Sequence, residues 1–252
     1  MSGTIFPAAL VSDTLAQTTG CTDKTQLDPE FSAIEQYLLK QEMARAGQMS
    51  TKNRCMVTLA TLCTIQTPSR LGQATLEALN ADLSVVEIKE TLYQCAPYIG
   101  ISKVEDALSA VNTALKASGR DPKPAAQATV TPRNRFEKGL AVQKAIFGSA
   151  IDKMHANTPP EQAYISKQAL TAYCFGDFYT RNGLDLKARE LITFTAIMCL
   201  GGCEPQLRAH SVANITVGNT KQDLIDAIMC AMPFIGFPRT LNALRVINEI
   251  LK

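Results

Sequence analysis

Residues 190–210 read ELITFTAIMCLGGCEPQLRAH, an apolar run broken by a glycine pair and restarted by a short polar segment. Gly201 and Gly202 end one helix, and Cys203, Glu204 and Pro205 open the next, because glycine closes helices and proline is tolerated only in a first turn. Cys203 is therefore expected at or just before a helix start. The N–H groups and positive dipole end found there favour a thiolate. His210 lies seven residues on, two helical turns, so the imidazole is expected on the same face as the thiol, close enough for direct or water-mediated proton exchange. Glu190 is thirteen residues before Cys203 and would face away on one unbroken helix. The glycine break lets the carboxylate return from a preceding antiparallel helix to form a Glu, His, Cys relay. Taken singly, each residue also has a plain reading: a small buried thiol, a hydrogen-bonded core histidine, and a first-turn acid answering the dipole.

Outward from this stretch, the chain repeats itself. Residues 92–115, LYQCAPYIGISKVEDALSAVNTAL, align without gaps to residues 228–251, IMCAMPFIGFPRTLNALRVINEIL, at an offset of 136, with 7 of 24 positions identical. STKNRCMVT at 50–58 matches DLKARELIT at 185–193 at an offset of 135. This is duplication. Leu241, Leu244, Ile247 and Leu251 recur at three- and four-residue steps, and period-two alternation is hard to find anywhere, so the expected fold is all-α. It should comprise two related antiparallel helical bundles: a first repeat over 30–116, a second over 135–252, and a linker at 117–134 rich in Pro, Ala and Thr. Under the alignment Glu190, Cys203 and His210 fall on Cys55, Thr67 and Ala74, so the first copy lacks all three. The first copy is then a structural partner, occupying the place of a second subunit.

Composition narrows the classes. The chain has 252 residues, 46% hydrophobic and 19% charged, enough for one large or two small cores. Twenty-five Lys and Arg balance 23 Asp and Glu without a dense basic run, which argues against nucleic acid. The apolar windows at 191–200 and 224–237 are too short or interrupted to span a bilayer, and no basic residue precedes IFPAAL near the N-terminus, so a cytoplasmic protein is expected. Eight cysteines without a CxxC pair read as mostly reduced and buried. Cys199, Cys203 and His210 imitate a metal site only weakly, lacking a fourth ligand, and neither metal nor cofactor is expected. Met198, Met229 and Met232 read as core filling, and Tyr173, Phe175, Phe178 and Tyr179 as helix packing, or as the lining of a pocket if that helix faces the site. Asp177 and Arg181 read as a surface pair, and His155 as exposed.

The segment 184–251 resembles the carboxymuconolactone decarboxylase family, which includes alkylhydroperoxidase D-like proteins. The resemblance rests on the KxRELI opening, GGCEPQLRAH, VGNTKQDLID and PFIGFPRTLNAL. RFEKGLAVQKAIFG at 135–148 and LTAYCFGDFYTRNGLD at 170–185 look like leading helices of the decarboxylase branch. It implies an all-α fold assembling as a homotrimer of doubled chains. In the peroxidase branch a Glu, a CxxC pair and a His form the redox site, matching Glu190, Cys203 and His210. Gln206 stands at the second cysteine position, so a resolving thiol must be Cys199, another buried cysteine or an external thiol reductant. The expected activity is a thiol-dependent, peroxidase-like oxidoreductase in which Glu190 orients His210, His210 deprotonates Cys203, and the thiolate attacks a peroxide. The alternative is a lyase acting on a carboxymuconolactone-like cyclic acid. There Cys203 is dispensable, and Arg189, Arg181 or Arg208 meets the substrate carboxylates. A non-catalytic oligomeric scaffold is the third reading.

Overall fold

The computed structural model describes residues 27–43 and 47–251; the IFPAAL stretch lies outside them. Among the described residues every regular element is helical, as the period-three-and-four patterning predicts. Helix α1 (Pro29–Tyr37) continues into a wider π turn, Leu38–Glu42. The rest of the first repeat is α2 (Thr51–Thr64), α3 (Pro68–Asn80), α4 (Val85–Ile99) and α5 (Ile101–Ala117). Next along the chain come α6 (Arg135–Phe147), α7 (Ala150–Asn157) and α8 (Tyr164–Tyr179), the last wound with the π hydrogen-bond pattern. Then follow α9 (Leu186–Leu200), α10 (Glu204–Thr216) and α11 (Lys221–Ile250).

The duplication is visible in local chemistry. Ser84 and Thr220, 136 residues apart, both cap a helix with a reciprocal capping box, satisfying two orphan donors each. Thr67 and Cys203, also 136 apart, are both N-caps followed by a proline in the first turn. Gly100 and Gly236 adopt φ of 92° and 74°, which side chains rarely reach, and each turns the chain from a proline-containing helix into the next. Gly236 thus divides α11 into two arms, each shorter than the roughly 20 residues needed to cross a bilayer.

The repeats do not stand apart. One core cluster gathers Leu59, Leu62, Ile88, Leu92 and Val111 of the first repeat around Ile192 and Ala196 of α9. The other gathers Leu191, Phe194, Ile197, Leu224 and Ile247 around Val57 of α2. Helices α2 and α9, the two apolar helices preceding the breaks, therefore lie at the centre and serve both halves. Burying Phe194, which has no exposed surface, is worth about 1.5–3 kcal/mol. The linker is stitched down as well: Thr129 Oγ1 donates to Thr180 O at 2.6 Å and Asn182 N to Gln127 O at 3.0 Å.

Helices α6 and α8 meet with almost no space between backbones. A Cβ on Gly139 would lie 2.2 Å from Thr171 O, and one on Gly176 2.2 Å from Arg135 O. This contact brings α6 and Phe147 at its end against the second repeat, where Phe147 meets the His210 ring.

Candidate functional site

The break at Gly201 and Gly202 folds as its sequence reads, with α9 and α10 antiparallel around it, and this returns Glu190 to His210. Asn214 fixes the alignment: its Nδ2 donates to Glu190 O at 3.0 Å and His210 O at 2.7 Å. Asn219 holds Asn214 in turn, donating to Asn214 Oδ1 at 2.8 Å and to Lys187 O at 2.9 Å. Across this staple His210 Nδ1 lies 2.8 Å from Glu190 Oε2. Against an ionised carboxylate Nδ1 carries the hydrogen, which leaves Nε2 as the ring's other functional atom.

Glu190 is fully buried, and its second oxygen is also engaged. Tyr179 Oη donates to Glu190 Oε1 at 2.8 Å. Tyr179 has one hydrogen to give, so it accepts from Thr193 Oγ1 and Tyr98 Oη, both 2.9 Å away. Behind Thr193 stands Gln94, which donates Nε2 at 3.2 Å and accepts at Oε1 from Arg189 Nη1 at 3.0 Å. Behind Tyr98 stands the Cys174 thiol, donating at 3.5 Å. Hydrogens therefore run one way, from Arg189 through Gln94, Thr193 and Tyr179, and from Cys174 through Tyr98, to end on the Glu190 carboxylate. Such aligned chains reinforce one another in a low-dielectric interior. Burial, with the Glu190 charge contributing, pushes the Tyr179 hydroxyl well above its ordinary pKa, so it stays a neutral donor. Burial and then the Cys174 thiol do the same for Tyr98.

The His210 ring is clamped edge-on between Tyr98, 5.5 Å at 89°, and Phe147, 5.4 Å at 90°. Its side chain is 10% exposed. Nε2 has no hydrogen-bond partner among the described residues, yet it is not among the buried unsatisfied atoms, so it is the polar end that faces outward. Of the clamp and the network, Tyr98 and Gln94 come from the first repeat, which thus contributes side chains to the site of the second.

The third expected member stands differently. Cys203 is the N-cap of α10 with φ −120° and ψ 36°, half-buried, and it packs against the second core cluster. Its carbonyl accepts from Leu207 N at 2.9 Å, but its thiol makes no hydrogen bond to His210 or to any other described residue. Its backbone is not helical, so the two-turn rule that would place it over His210 starts one residue too late. Cys199 is 1% exposed, donates to Thr61 Oγ1 at 3.8 Å, and is pushed up to about 12 by burial, which suits a core thiol rather than a resolving one. Among the described residues no group of three or more His, Cys, Asp or Glu is placed to hold a metal.

The arginines expected to meet substrate carboxylates are engaged elsewhere. Arg189 is fully buried and bonded to Glu90, Gln94 and the carbonyls of Arg181 and Asn182. Arg181 forks onto Glu90 rather than pairing with Asp177, and Asp177 pairs with Arg135. Arg208 pairs with Glu249. His155 is half-buried rather than exposed, with Nε2 3.4 Å from Thr171 Oγ1.

These thiol environments predict a labelling pattern. At pH 8 a thiol titrating near 12 is ionised in about one molecule in 10⁴, so Cys174 and Cys199, both raised by burial to about 12, should resist iodoacetamide until denaturation. The half-buried Cys203 should label before either of them in the native protein. Peptide mapping by mass spectrometry with time reads the order directly.

An all-helical tandem repeat whose second copy alone carries a carboxylate-held imidazole defines the class of protein. The carboxymuconolactone decarboxylase family profile matches residues 29–113 and 166–249, and the chain belongs to that family. The chain is 26% identical to the 4-carboxymuconolactone decarboxylase of Acinetobacter baylyi over 123 residues, 47% of this chain and 87% of that protein. It is 24% identical to the nitrosuccinic acid decarboxylase of Metarhizium robertsii over 119 residues, 47% of this chain and 82% of that one. A solved structure from Burkholderia xenovorans, named for a gamma-carboxymuconolactone decarboxylase subunit, covers 97% of both chains with a TM-score of 0.49 and 15% identity, a likeness too shallow to carry argument.

Proposed function

We propose that the chain is a lyase that removes carbon dioxide from a small cyclic or conjugated carboxylic acid, with His210 as its acid–base group. The division of the imidazole carries this reading: Nδ1 is fixed on the buried Glu190, and Nε2 faces outward. In the step we envisage, the bond between the ring carbon and the carboxylate breaks, carbon dioxide leaves, and the electron pair passes into the conjugated system. Protonated His210 then delivers its Nε2 hydrogen to carbon and regains a proton from solvent. Glu190 balances the imidazolium without itself becoming protonated, the role an acid plays behind a catalytic histidine. Both named relatives are decarboxylases of acids, which supports this reading over the thiol-peroxidase one.

The peroxidase reading keeps one observation in its favour, the position of Cys203 at the start of α10. One experiment separates the two. Wild type and Cys203→Ser are incubated with a carboxymuconolactone-like acid and, separately, with hydrogen peroxide and a dithiol. Carbon dioxide release unchanged by Cys203→Ser is the expected result. Peroxide consumption that disappears in Cys203→Ser, with no carbon dioxide from wild type, would overturn the lyase.

A further inference from the structure

The first repeat carries its own cavity at the place pseudo-equivalent to the Glu190 network. About 490 Å³ in volume, it is lined by Leu39, Met43, Arg54, Cys230, Pro233 and Phe234 among others. At the offsets of 135 and 136 these positions answer to the other copy's buried cluster. Arg54 matches Arg189, Thr58 matches Thr193, Cys230 matches Gln94 and Phe234 matches Tyr98. Gln94 and Tyr98 have become a thiol and a phenyl ring, whereas the arginine and the threonine are kept.

The arginine has lost its carboxylate. Arg189 is held by Glu90, whose counterpart is Asp226. Asp226 is one methylene shorter and is committed elsewhere, accepting from Gln48 N at 2.8 Å and Gln222 Nε2 at 2.8 Å. Arg54 is left with a single bond, Nη1 to Met43 O at 2.9 Å, and among the described residues no salt bridge. Lys40 also lines the cavity, and so does Glu77, whose Oε1 accepts from Gln73 Nε2 at 3.0 Å. A half-buried guanidinium with donors to spare, beside the apolar surface of Leu39, Met43, Pro233 and Phe234, is an arrangement that recognises a planar carboxylate.

We propose that this cavity is a second binding site, for a small monocarboxylate whose apolar body lies against Leu39, Met43, Pro233 and Phe234 while its carboxylate forks onto Arg54. Lys40 and Glu77, which also line the cavity, offset each other in charge, so Arg54 leaves room for a single carboxylate. The site shares no residue with the Glu190 and His210 pair, so it stands whether or not the chain is a lyase.

Isothermal titration of the full chain with benzoate as the probe tests it, against benzamide as the uncharged isostere. Saturable benzoate binding is expected, at least tenfold weaker for benzamide and at least tenfold weaker in Arg54→Gln. His210→Gln should leave it within twofold. If Arg54→Gln does not fold, Cys230→Met, which narrows the cavity and keeps the guanidinium, should produce the same loss. Three results would overturn the proposal: no saturable binding by wild type, benzoate affinity indifferent to both cavity variants, or affinity lost in His210→Gln.

Discussion

His210→Gln is expected to reduce carbon dioxide release by about 10²–10⁴-fold while the protein keeps its fold, the range ascribed to a positioned proton-transfer group. Gln can still offer an amide hydrogen to Glu190 Oε2, so the buried carboxylate is not stranded and the edge-on clamp of Tyr98 and Phe147 keeps a planar group to hold. What is lost is a proton that can leave and return. Glu190→Gln should fall in the same direction for a different reason. Its two oxygens are acceptors for Tyr179 and His210, and an amide replaces one acceptor by a donor, opposing the direction in which every hydrogen of the network points. Tyr179→Phe removes one of those donors and leaves the imidazole on its carboxylate, so its cost should be smaller. Turnover in His210→Gln within threefold of wild type, with unchanged far-ultraviolet circular dichroism, would remove the imidazole from the chemistry.

The parts of this site that the sequence discloses are those that local backbone rules govern. Two consecutive glycines stop a helix whatever surrounds them, and an antiparallel return across the break is enough to pair Glu190 with His210. Seven-residue spacing yields no direct Cys203–His210 hydrogen bond, since it assumes helical backbone at both ends and the cap residue is not helical. Tyr98 was beyond reach, and Tyr179 was legible only as one of several aromatics that line a pocket if their helix faces the site, for another reason. Tyr179 sits at the end of α8, among aromatics that read equally well as packing, and Tyr98 belongs to the other repeat, so nothing in the spacing along either helix marks their hydroxyls as inward-facing. The same limit explains Arg189. An arginine near the start of a helix reads as free to meet a substrate carboxylate, and only the tertiary placement of Glu90 and Gln94 opposite it shows the charge buried and engaged. For the fold, the offset between copies predicts paired helices but not that α2 and α9 pack into both cores, since a repeat alignment records correspondence and not contact.

Glu90→Gln should produce the largest loss of stability in the chain. Glu90 is 1% exposed and holds two guanidiniums: Arg189 at 3.0 Å, with no exposed surface, and Arg181 at 2.8 Å, 20% exposed. Burial penalises the charge on Arg189 first, and the bond to Glu90 opposes that penalty. Without the carboxylate Arg189 is a buried cation with no counter-charge, a situation that costs about 3–5 kcal/mol. For a chain of this size each kcal/mol lowers the melting temperature by about 2–4 °C, so calorimetry should find a drop on the order of 10 °C. Arg181→Gln should cost much less, because Glu90 keeps Arg189 and the lost partner reaches solvent. The pair also ties the first repeat to the second and anchors the hydrogen-bond chain ending on Glu190, so Glu90→Gln should depress turnover even where the protein remains folded. The charges serve placement more than net stability, since replacing buried ionic groups together by apolar ones of similar volume is often neutral or stabilising. The triple variant Glu90→Leu, Arg189→Met, Arg181→Met should therefore recover much of the melting temperature lost in Glu90→Gln without recovering its activity. Recovery of both would detach the network from the chemistry, and recovery of neither would mean that the ion triad itself holds the two repeats together.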